Sequence, residues 1–148
     1  MSFSIRGAEV LDWPYIRDLL QEAGLPTADV DEARMADFLV AESSAGDVLG
    51  AIGIESYGDT ALLRSLVISP DSRHGGLGRA LIERLEARAV SQGVSELWLL
   101  TIDADGFFAR IGYARRSREE APRAIAETEE FSSLCPGSAQ LMSRQLGA

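Results

Sequence analysis

A short glycine-rich segment carries the clearest chemistry in this sequence. It reads RHGGLG over residues 73–78, after an apolar run that ends before Pro70 and ahead of a helical pattern that begins at Leu77. Glycines leave backbone N–H groups open to an anion, and the start of a helix adds a partial positive charge. Arg73 can add a full charge and a forked donor. We therefore expect a phosphate site; the alternative is a tight turn whose glycines serve packing alone.

We call residues 73–80 the glycine loop. Two better-known phosphate loops do not fit it. A P-loop needs Gly-Lys-Ser/Thr, whereas Gly78 is followed by arginine and alanine. The dinucleotide pattern G-x-G-x-x-G is also absent from this turn. The residues whose chemistry suits an anion here are Arg73, Gly75, Gly76 and Gly78.

Two motifs resemble those of the GNAT-type N-acetyltransferases. The R-x-x-G-x-G pattern of the glycine loop is similar to the family's acetyl-CoA pyrophosphate loop, Q/R-x-x-G-x-G/A. Further along, FFARIGY at residues 107–113 looks like the family signature F-Y-x-x-x-G-F/Y. The alternative for the second motif is an ordinary amphipathic helix capped by Gly112. Together, in this order, the motifs identify the chain as GNAT-like.

The predicted elements that position these motifs agree with that resemblance. Their order predicts an α/β (α+β) fold of the GNAT type, with a mixed twisted sheet of about six or seven strands flanked by helices. We expect one domain over residues 1–148. The segment 27–34 is either a short helix or a mobile lid. Strands are predicted at residues 2–6, 37–42, 48–57, 62–68, 96–101, 113–118 and 139–146, and helices at 12–23, 77–92, 104–111 and 122–131.

The resemblance implies that acetyl-CoA is the cosubstrate. Its pyrophosphate would lie on Arg73, His74, Gly75, Gly76, Leu77, Gly78, Arg79 and Ala80. We expect no metal, because the sequence has no cluster of His, Cys and carboxylate residues to hold one. The cofactor would lie where the strands 62–68 and 96–101 splay apart, with the backbone of Leu66, Val67 and Ile68 along its pantetheine arm. One of those amides would polarise the thioester carbonyl. Phe108 would also contact the cofactor, at a position where the family often has a tyrosine that protonates the departing thiolate. Phenylalanine cannot donate a proton, so another group does this or the thiolate leaves unprotonated.

A proton acceptor for the amine is harder to identify. Glu55 is the first candidate for the general base, because it lies on the strand next to the cofactor strand. Its alternative is a solvated or salt-bridged carboxylate. Glu42 is a second candidate, and Asp103 and Asp105 could equally cap the helix that follows them.

Arg64 and Ser65 occupy the middle of a strand that we expect to be covered on both faces. An unpaired charge is costly there, so Arg64 either pairs with a buried carboxylate or faces the ligand cavity. Strand alternation points Ser65 to the other face, unless the strand is bulged. We assign both residues provisionally to acceptor binding.

The sequences LLRSL at residues 62–66 and FSSLCPGSA at residues 131–139 resemble a GNAT branch named for arsenic resistance. That branch is associated with N-acetylation of amino-bearing arsenicals. Cys135 could then offer a soft sulfur to trivalent arsenic, and we include it among the acceptor-binding candidates. The alternative is a packed free cysteine.

Composition limits the classes of partner. The net charge is −9 and all 14 basic residues are arginine, which disfavours nucleic-acid binding. No apolar run is long enough to cross a membrane, and the N-terminus lacks a signal-peptide pattern. We therefore expect a cytoplasmic protein that binds a small-molecule amine, without nucleic acid or membrane; the resemblance also implies that it can form a homodimer.

The leading functional hypothesis is an acetyl-CoA-dependent N-acetyltransferase for a small amine, with an aminoarsenical as the most specific candidate. A second hypothesis is a non-catalytic acyl-CoA-binding regulator, favoured by Phe108 and the uncertain base. A third is the same fold acting on a protein N-terminus or a lysine.

Overall fold

The computed structural model describes residues 2–134 and 137–147. Seven strands form one sheet within these residues, in the order β1-β2-β3-β4-β5-β7-β6. The strands are β1 (Phe3–Gly7), β2 (Phe38–Ser43), β3 (Val48–Tyr57), β4 (Thr60–Ile68), β5 (Glu96–Thr101), β6 (Ala114–Arg116) and β7 (Gln140–Gln145). The helices are α1 (Trp13–Glu22), α2 (Leu77–Ser91), α3 (Asp105–Arg110) and α4 (Arg123–Ala126).

The sheet is mixed. Strands β4 and β5 are parallel, with Thr60–Leu62 facing Glu96–Trp98. The β1–β2, β2–β3, β5–β7 and β6–β7 pairs are antiparallel. This confirms the predicted mixed sheet of six or seven strands. Among the described residues, no helix is long and apolar enough to cross a membrane.

Contacts between residues divide the chain into two compact units. The first contains the chain up to Ile54 together with Ser65–Arg88, and the second contains Glu55–Arg64 together with the chain from Ala89 onward. The strands β3 and β4 contribute to both. The single domain over residues 1–148 stays a prediction.

Helix α1 builds the core of the first unit. Pro14 lies in its first turn, where a missing N–H costs nothing. Ile16 and Leu20 are one helical turn apart, so both face the sheet. They pack with Phe38, Val40, Ala51 and Val67 of the strands, all buried.

Trp98 of β5 is central to the second unit. It packs with Leu62 of β4, Leu141 of β7 and Ile125 of α4. Its indole N–H donates to Glu96 Oε1 at 2.6 Å, which satisfies the polar atom of a nearly buried side chain.

Three predicted elements differ from the structure. The helix predicted over 122–131 is interrupted, because α4 ends at Ala126 and a separate π-helical turn covers Glu130–Leu134. The Thr128 hydroxyl explains the interruption: it donates to the Ile125 carbonyl at 2.7 Å and accepts from the Phe131 N–H at 3.2 Å. A side chain that bonds to nearby backbone in this way competes with the helical ladder.

The strand predicted over 113–118 is shorter, at Ala114–Arg116. The segment 27–34, expected to be a short helix or a lid, leads into a 3-10 turn at Glu32–Asp37. The Asp31 side chain starts this turn by accepting from the Ala33 N–H at 3.0 Å.

Candidate active site

The glycine loop belongs to the first unit and is held at its base by serine contacts. The Ser69 N–H donates to the Leu49 carbonyl at 2.8 Å, which fixes the end of β4 against β3. A 3-10 turn at Pro70–Ser72 follows, and the Ser69 hydroxyl donates to Ser72 Oγ at 3.1 Å. Ser72 is buried, so the exposed loop starts from a fixed point.

The backbone of the glycine loop leaves room for an anion. His74 and Gly76 have φ angles of 70° and 80°, in the left-handed region. A Cβ added at Gly76 would meet nothing within 4 Å, and one added at Gly78 would meet only Ile68, at 3.9 Å. The Ala80 N–H donates to the Gly76 carbonyl, so the helical ladder of α2 begins there. By helix geometry the N–H groups ahead of Ala80 have no acceptor within the helix, which suits a phosphate.

The predicted cofactor residues are all placed on β4, the glycine loop and α2. The side chain of Val67 is buried in the core of the first unit, whereas Leu66 and Ile68 are half-buried. Arg79 points along the helix to Glu83, with 3.1 Å between Nε and Oε1. Arg73, His74, Gly75 and Gly76 are exposed, Leu77 is buried, and Gly78 and Ala80 are half-buried.

Ser65 interrupts the regular geometry of β4. Its φ angle is 58°, and Ser65 and His74 are the two non-glycine residues with positive φ in the described part of the chain. Such a conformation costs on the order of 1–3 kcal/mol and is found most often at functional sites. Ser65 directly precedes residues 66–68 and His74 lies within the glycine loop, and we expect both segments to contact the cofactor. Strict alternation of side-chain faces does not hold at Ser65.

A buried polar cluster lies on β3 and β4 in the second unit. Arg64 Nη1 donates to Glu55 Oε2 at 2.9 Å, and the Tyr57 hydroxyl donates to Glu55 Oε1 at 2.7 Å. We call Tyr57, Glu55 and Arg64 the Arg64 cluster. Of the two expectations for Arg64, the structure shows the pairing with a buried carboxylate.

The same hydrogen bonds make Glu55 a poor candidate for the general base. Both of its carboxylate oxygens already accept hydrogen bonds, so taking a proton would disrupt one of them. The geometry therefore favours the salt-bridged interpretation of Glu55 over the catalytic one. Tyr57 was missed in the sequence, although it follows Glu55 by two residues and so lies on the same face of the strand.

Phe108 is an aromatic packing residue on α3. It is 4% exposed, and its ring meets those of Phe107 and Tyr113 edge to face, with centroids 5.3 and 5.5 Å apart. Gly112 ends the helical segment with a φ angle of 107°, and the Tyr113 N–H then donates to the Phe108 carbonyl at 3.0 Å. Contact between Phe108 and a cofactor stays a prediction.

Two of the remaining acidic candidates, Glu42 and Asp105, pair with arginines. Glu42 Oε2 lies 3.2 Å from Arg6 Nε. Asp105 pairs with Arg115 at 3.0 Å, and this guanidinium lowers the pKa of the Asp105 carboxyl. Ala104 occupies the N-cap of α3, so neither Asp103 nor Asp105 has the predicted capping position.

Cys135 lies outside the described residues, so its predicted role has no structural account. Within residues 2–134 and 137–147, no group of three or more His, Cys, Asp or Glu side chains could hold a metal ion.

Residues 34–115 match the family described as acetyltransferase (GNAT) domain. Among curated relatives, the uncharacterised N-acetyltransferase CT2212 of Chlorobaculum tepidum is 39% identical over 90 residues, which cover 60% of this chain and 57% of that protein. The amino-acid acetyltransferase of Pseudomonas fluorescens is 32% identical over 135 residues, covering 86% of this chain and 31% of that protein. The chain therefore spans only part of the length of both relatives.

A solved structure gives the same fold. N-acetylglutamate synthase from Neisseria gonorrhoeae, complexed with coenzyme A and N-acetyl-glutamate, matches with a TM-score of 0.86 at 24% identity. The match covers 100% of this chain and 36% of that one. The predicted fold type is thereby confirmed.

Proposed function

The chain belongs to the acetyltransferase (GNAT) family, and from this premise we propose that it transfers an acetyl group from acetyl-CoA to the amine of a small molecule. The observation that carries the proposal is the glycine loop. Open space over Gly76 lies beside the first N–H groups of a 15-residue helix, which follows β4 after one 3-10 turn. Relatives named as amino-acid acetyltransferases support the same activity.

We assign the diphosphate and the pantetheine arm of acetyl-CoA to separate residues of the first unit. The N–H groups ahead of Ala80 and the guanidinium of Arg73 would hold its diphosphate. The backbone of Leu66, Val67 and Ile68 would line the pantetheine arm. When bound, acetyl-CoA supplies a thioester whose C–S bond breaks as the C–N bond to the acceptor forms.

Acetyl transfer requires that the amine lose a proton and that the sulfur be able to leave. The acceptor amine must be neutral to attack, so its proton passes to a carboxylate or a chain of water molecules. Glu55 is poorly suited, since both its oxygens are already engaged. The departing sulfur needs either a donor or a positive environment. Phe108 has no donor, so either another group donates a proton or the thiolate leaves unprotonated, assisted by the positive turn at the start of α2.

The acceptor that we propose is an amino acid or a close analogue. The match to the amino-acid acetyltransferase of Pseudomonas fluorescens covers 86% of this chain, and the structure from Neisseria gonorrhoeae holds N-acetyl-glutamate. An aminoarsenical remains a more specific proposal that rests on the resemblance of residues 62–66 and 131–139 to the arsenic-resistance branch. The relatives described above give it no support.

One observation favours a second candidate function. Phe108 places a buried ring without a proton donor where the family often has a tyrosine. A non-catalytic acyl-CoA-binding regulator would tolerate that change. Action on a protein N-terminus or a lysine, a cytoplasmic location and a homodimer stay predictions.

The test is turnover with purified protein. Acetyl-CoA is supplied with a panel that includes the free amino acids, an amino-bearing arsenical, a polyamine and a peptide with a free N-terminus. Release of CoA thiol is followed against a blank without acceptor, which also corrects for the protein's own thiol. We expect acceptor-dependent release with at least one amino acid. CoA binding by calorimetry without release from any amine would favour the regulator, and a folded chain that takes up no CoA would overturn both.

A further inference from the structure

Two glycines lie in the interior of β3, within the first unit. Gly50 and Gly53 are both buried, and neither has a φ angle in the left-handed region. The backbone conformation therefore gives no reason for glycine at either position. Glycine inside a strand weakens it and often marks a place where another group comes close to the backbone.

The end of β4 occupies the space beside Gly50. A Cβ added at Gly50 would lie 2.8 Å from the Val67 carbonyl oxygen and 2.9 Å from Ile68 Cδ1. Leu81 Cδ1 of α2 would be 3.4 Å away. The tip of an isoleucine or leucine side chain can move at low cost, whereas a main-chain carbonyl moves only with its strand. The Val67 carbonyl is therefore the group that requires glycine at position 50.

The contact with Gly50 sets the direction of the peptide groups at Ile68. The Val67 carbonyl oxygen lies against β3, and the Ser69 N–H donates to the Leu49 carbonyl of β3 at 2.8 Å. In a planar trans peptide, the C=O and the N–H of the next residue point in opposite directions. The Ile68 N–H and the Ile68 C=O therefore both point away from β3. Together they offer a donor and an acceptor that suit an amide of the pantetheine arm.

We propose that Gly50 is a positioning residue for CoA. Its lack of a side chain lets the Val67 carbonyl approach β3, and this approach directs the Ile68 N–H and C=O toward the pantetheine arm. Gly50 acts through β4 and not by touching the ligand. The inference rests on the proposed function and adds a residue of β3 to the cofactor site.

Gly50→Ala and Gly53→Ala provide the test, as a variant and its matched control. A Cβ at Gly53 would lie 2.5 Å from the Phe38 ring of β2, so the control also crowds a buried part of β3. Both variants should unfold at lower denaturant concentration. In calorimetry, CoA should bind to Gly50→Ala at least about tenfold more weakly than to the unsubstituted protein, as for lost hydrogen bonds. Its affinity for Gly53→Ala should change by less than about twofold.

ADP separates the glycine loop from the pantetheine segment, because it carries a diphosphate and no pantetheine arm. Its affinity for Gly50→Ala should stay within about twofold of that for the unsubstituted protein. Equal losses of ADP and CoA affinity would indicate a general defect of the first unit and overturn the inference. So would a Gly50→Ala variant that keeps its CoA affinity, or a Gly53→Ala control that loses as much.

A second pair of variants decides the question if Gly50→Ala does not fold or if ADP binds too weakly to measure. Ile68→Val removes Cδ1, the side-chain atom nearest to Gly50, and Ile52→Val removes the same atom from a fully buried isoleucine of β3. CoA should bind about threefold more weakly to Ile68→Val than to Ile52→Val, because the end of β4 is held less firmly. Equal CoA affinity in these two variants would overturn the inference.

This inference and the proposed function can fail separately. If Gly50→Ala loses CoA affinity as expected but the unsubstituted protein releases no thiol with any amine, acetyl transfer is refuted and the role of Gly50 stands. If the unsubstituted protein acetylates an amine and Gly50→Ala binds CoA as tightly, only the role of Gly50 is refuted.

Discussion

The glycine loop and the Arg64 cluster are built by opposite means. The loop is exposed, nearly without side chains between Gly75 and Gly78, and offers backbone N–H groups at the start of α2. The Arg64 cluster is mostly buried and works through side chains from two strands. The loop therefore depends on main-chain geometry, whereas the cluster depends on the pairing of opposite charges.

The two regions should therefore tolerate amino-acid substitutions differently. A backbone site depends on glycine conformation and on empty space, so adding a single methyl group can damage it. A side-chain cluster depends on pairing, so removing one partner leaves another buried without compensation. Substitutions in the glycine loop should therefore weaken CoA binding, whereas substitutions in the Arg64 cluster should lower the free energy of unfolding.

The largest expected effect is on stability, from Arg64→Met. The substitution leaves the Glu55 carboxylate buried without its cation, which should lower the free energy of unfolding by about 3–5 kcal/mol. Denaturant unfolding measures this change. CoA binding, which we assign to the first unit, should persist wherever the variant is folded.

The double variant Arg64→Met with Glu55→Gln is the control, because it removes both charges. We expect it to regain more than half of the lost stability, since an uncharged amide is far cheaper to bury than a lone carboxylate. A single variant that loses less than about 1 kcal/mol would show that the Glu55–Arg64 contact has little energetic weight.

The second effect is on cofactor affinity, from Gly76→Ala. A Cβ here would enter the open space over the loop, and the φ angle of 80° is unfavourable for alanine. We expect CoA to bind at least about tenfold more weakly in calorimetry, because the N–H groups would turn away from the diphosphate.

Gly58→Ala is a matched control for backbone strain. Gly58 has a φ angle of 70° and a Cβ there would also meet nothing within 4 Å, but it lies in the β3–β4 turn. Both variants should lose about 1 kcal/mol of stability. Equal loss of CoA affinity in both would mean that strain, and not the phosphate cradle, explains the result.

The glycine loop and most of the fold could be predicted from the sequence. The glycine loop was recognisable because backbone recognition requires glycines at fixed spacing next to a helix start, and those are visible in one short segment. The fold followed from the same local patterns: the bounds of β3 and β5 were predicted to the residue. The prediction of one continuous helix over 122–131 was wrong, because the Thr128 hydroxyl bonds to the nearby backbone of Ile125. The spacing of apolar residues does not reveal this competition.

The Arg64 cluster was only partly predictable, for a physical reason. A buried arginine in a strand demands a partner, so the sequence could say that Arg64 needs an anion. It could not say which one, because partners come from another strand and depend on register. Glu55 was therefore named first as a general base, with a solvated or salt-bridged carboxylate as the alternative, and Tyr57 was not identified at all.

The smallest effect concerns Ser65, which follows Arg64 in the chain and precedes residues 66–68, the segment proposed to line the pantetheine arm. Glycine in a strand is normally about 0.5–1 kcal/mol worse than alanine. At a φ angle of 58° the order should reverse, because alanine has a Cβ that clashes in the left-handed region. We expect Ser65→Gly to be about 1 kcal/mol more stable than Ser65→Ala in denaturant unfolding. Both variants lose the hydroxyl, so the difference isolates the backbone. If alanine is the more stable of the two, the left-handed turn at Ser65 is absent in solution, and backbone strain at this position no longer supports a functional interpretation.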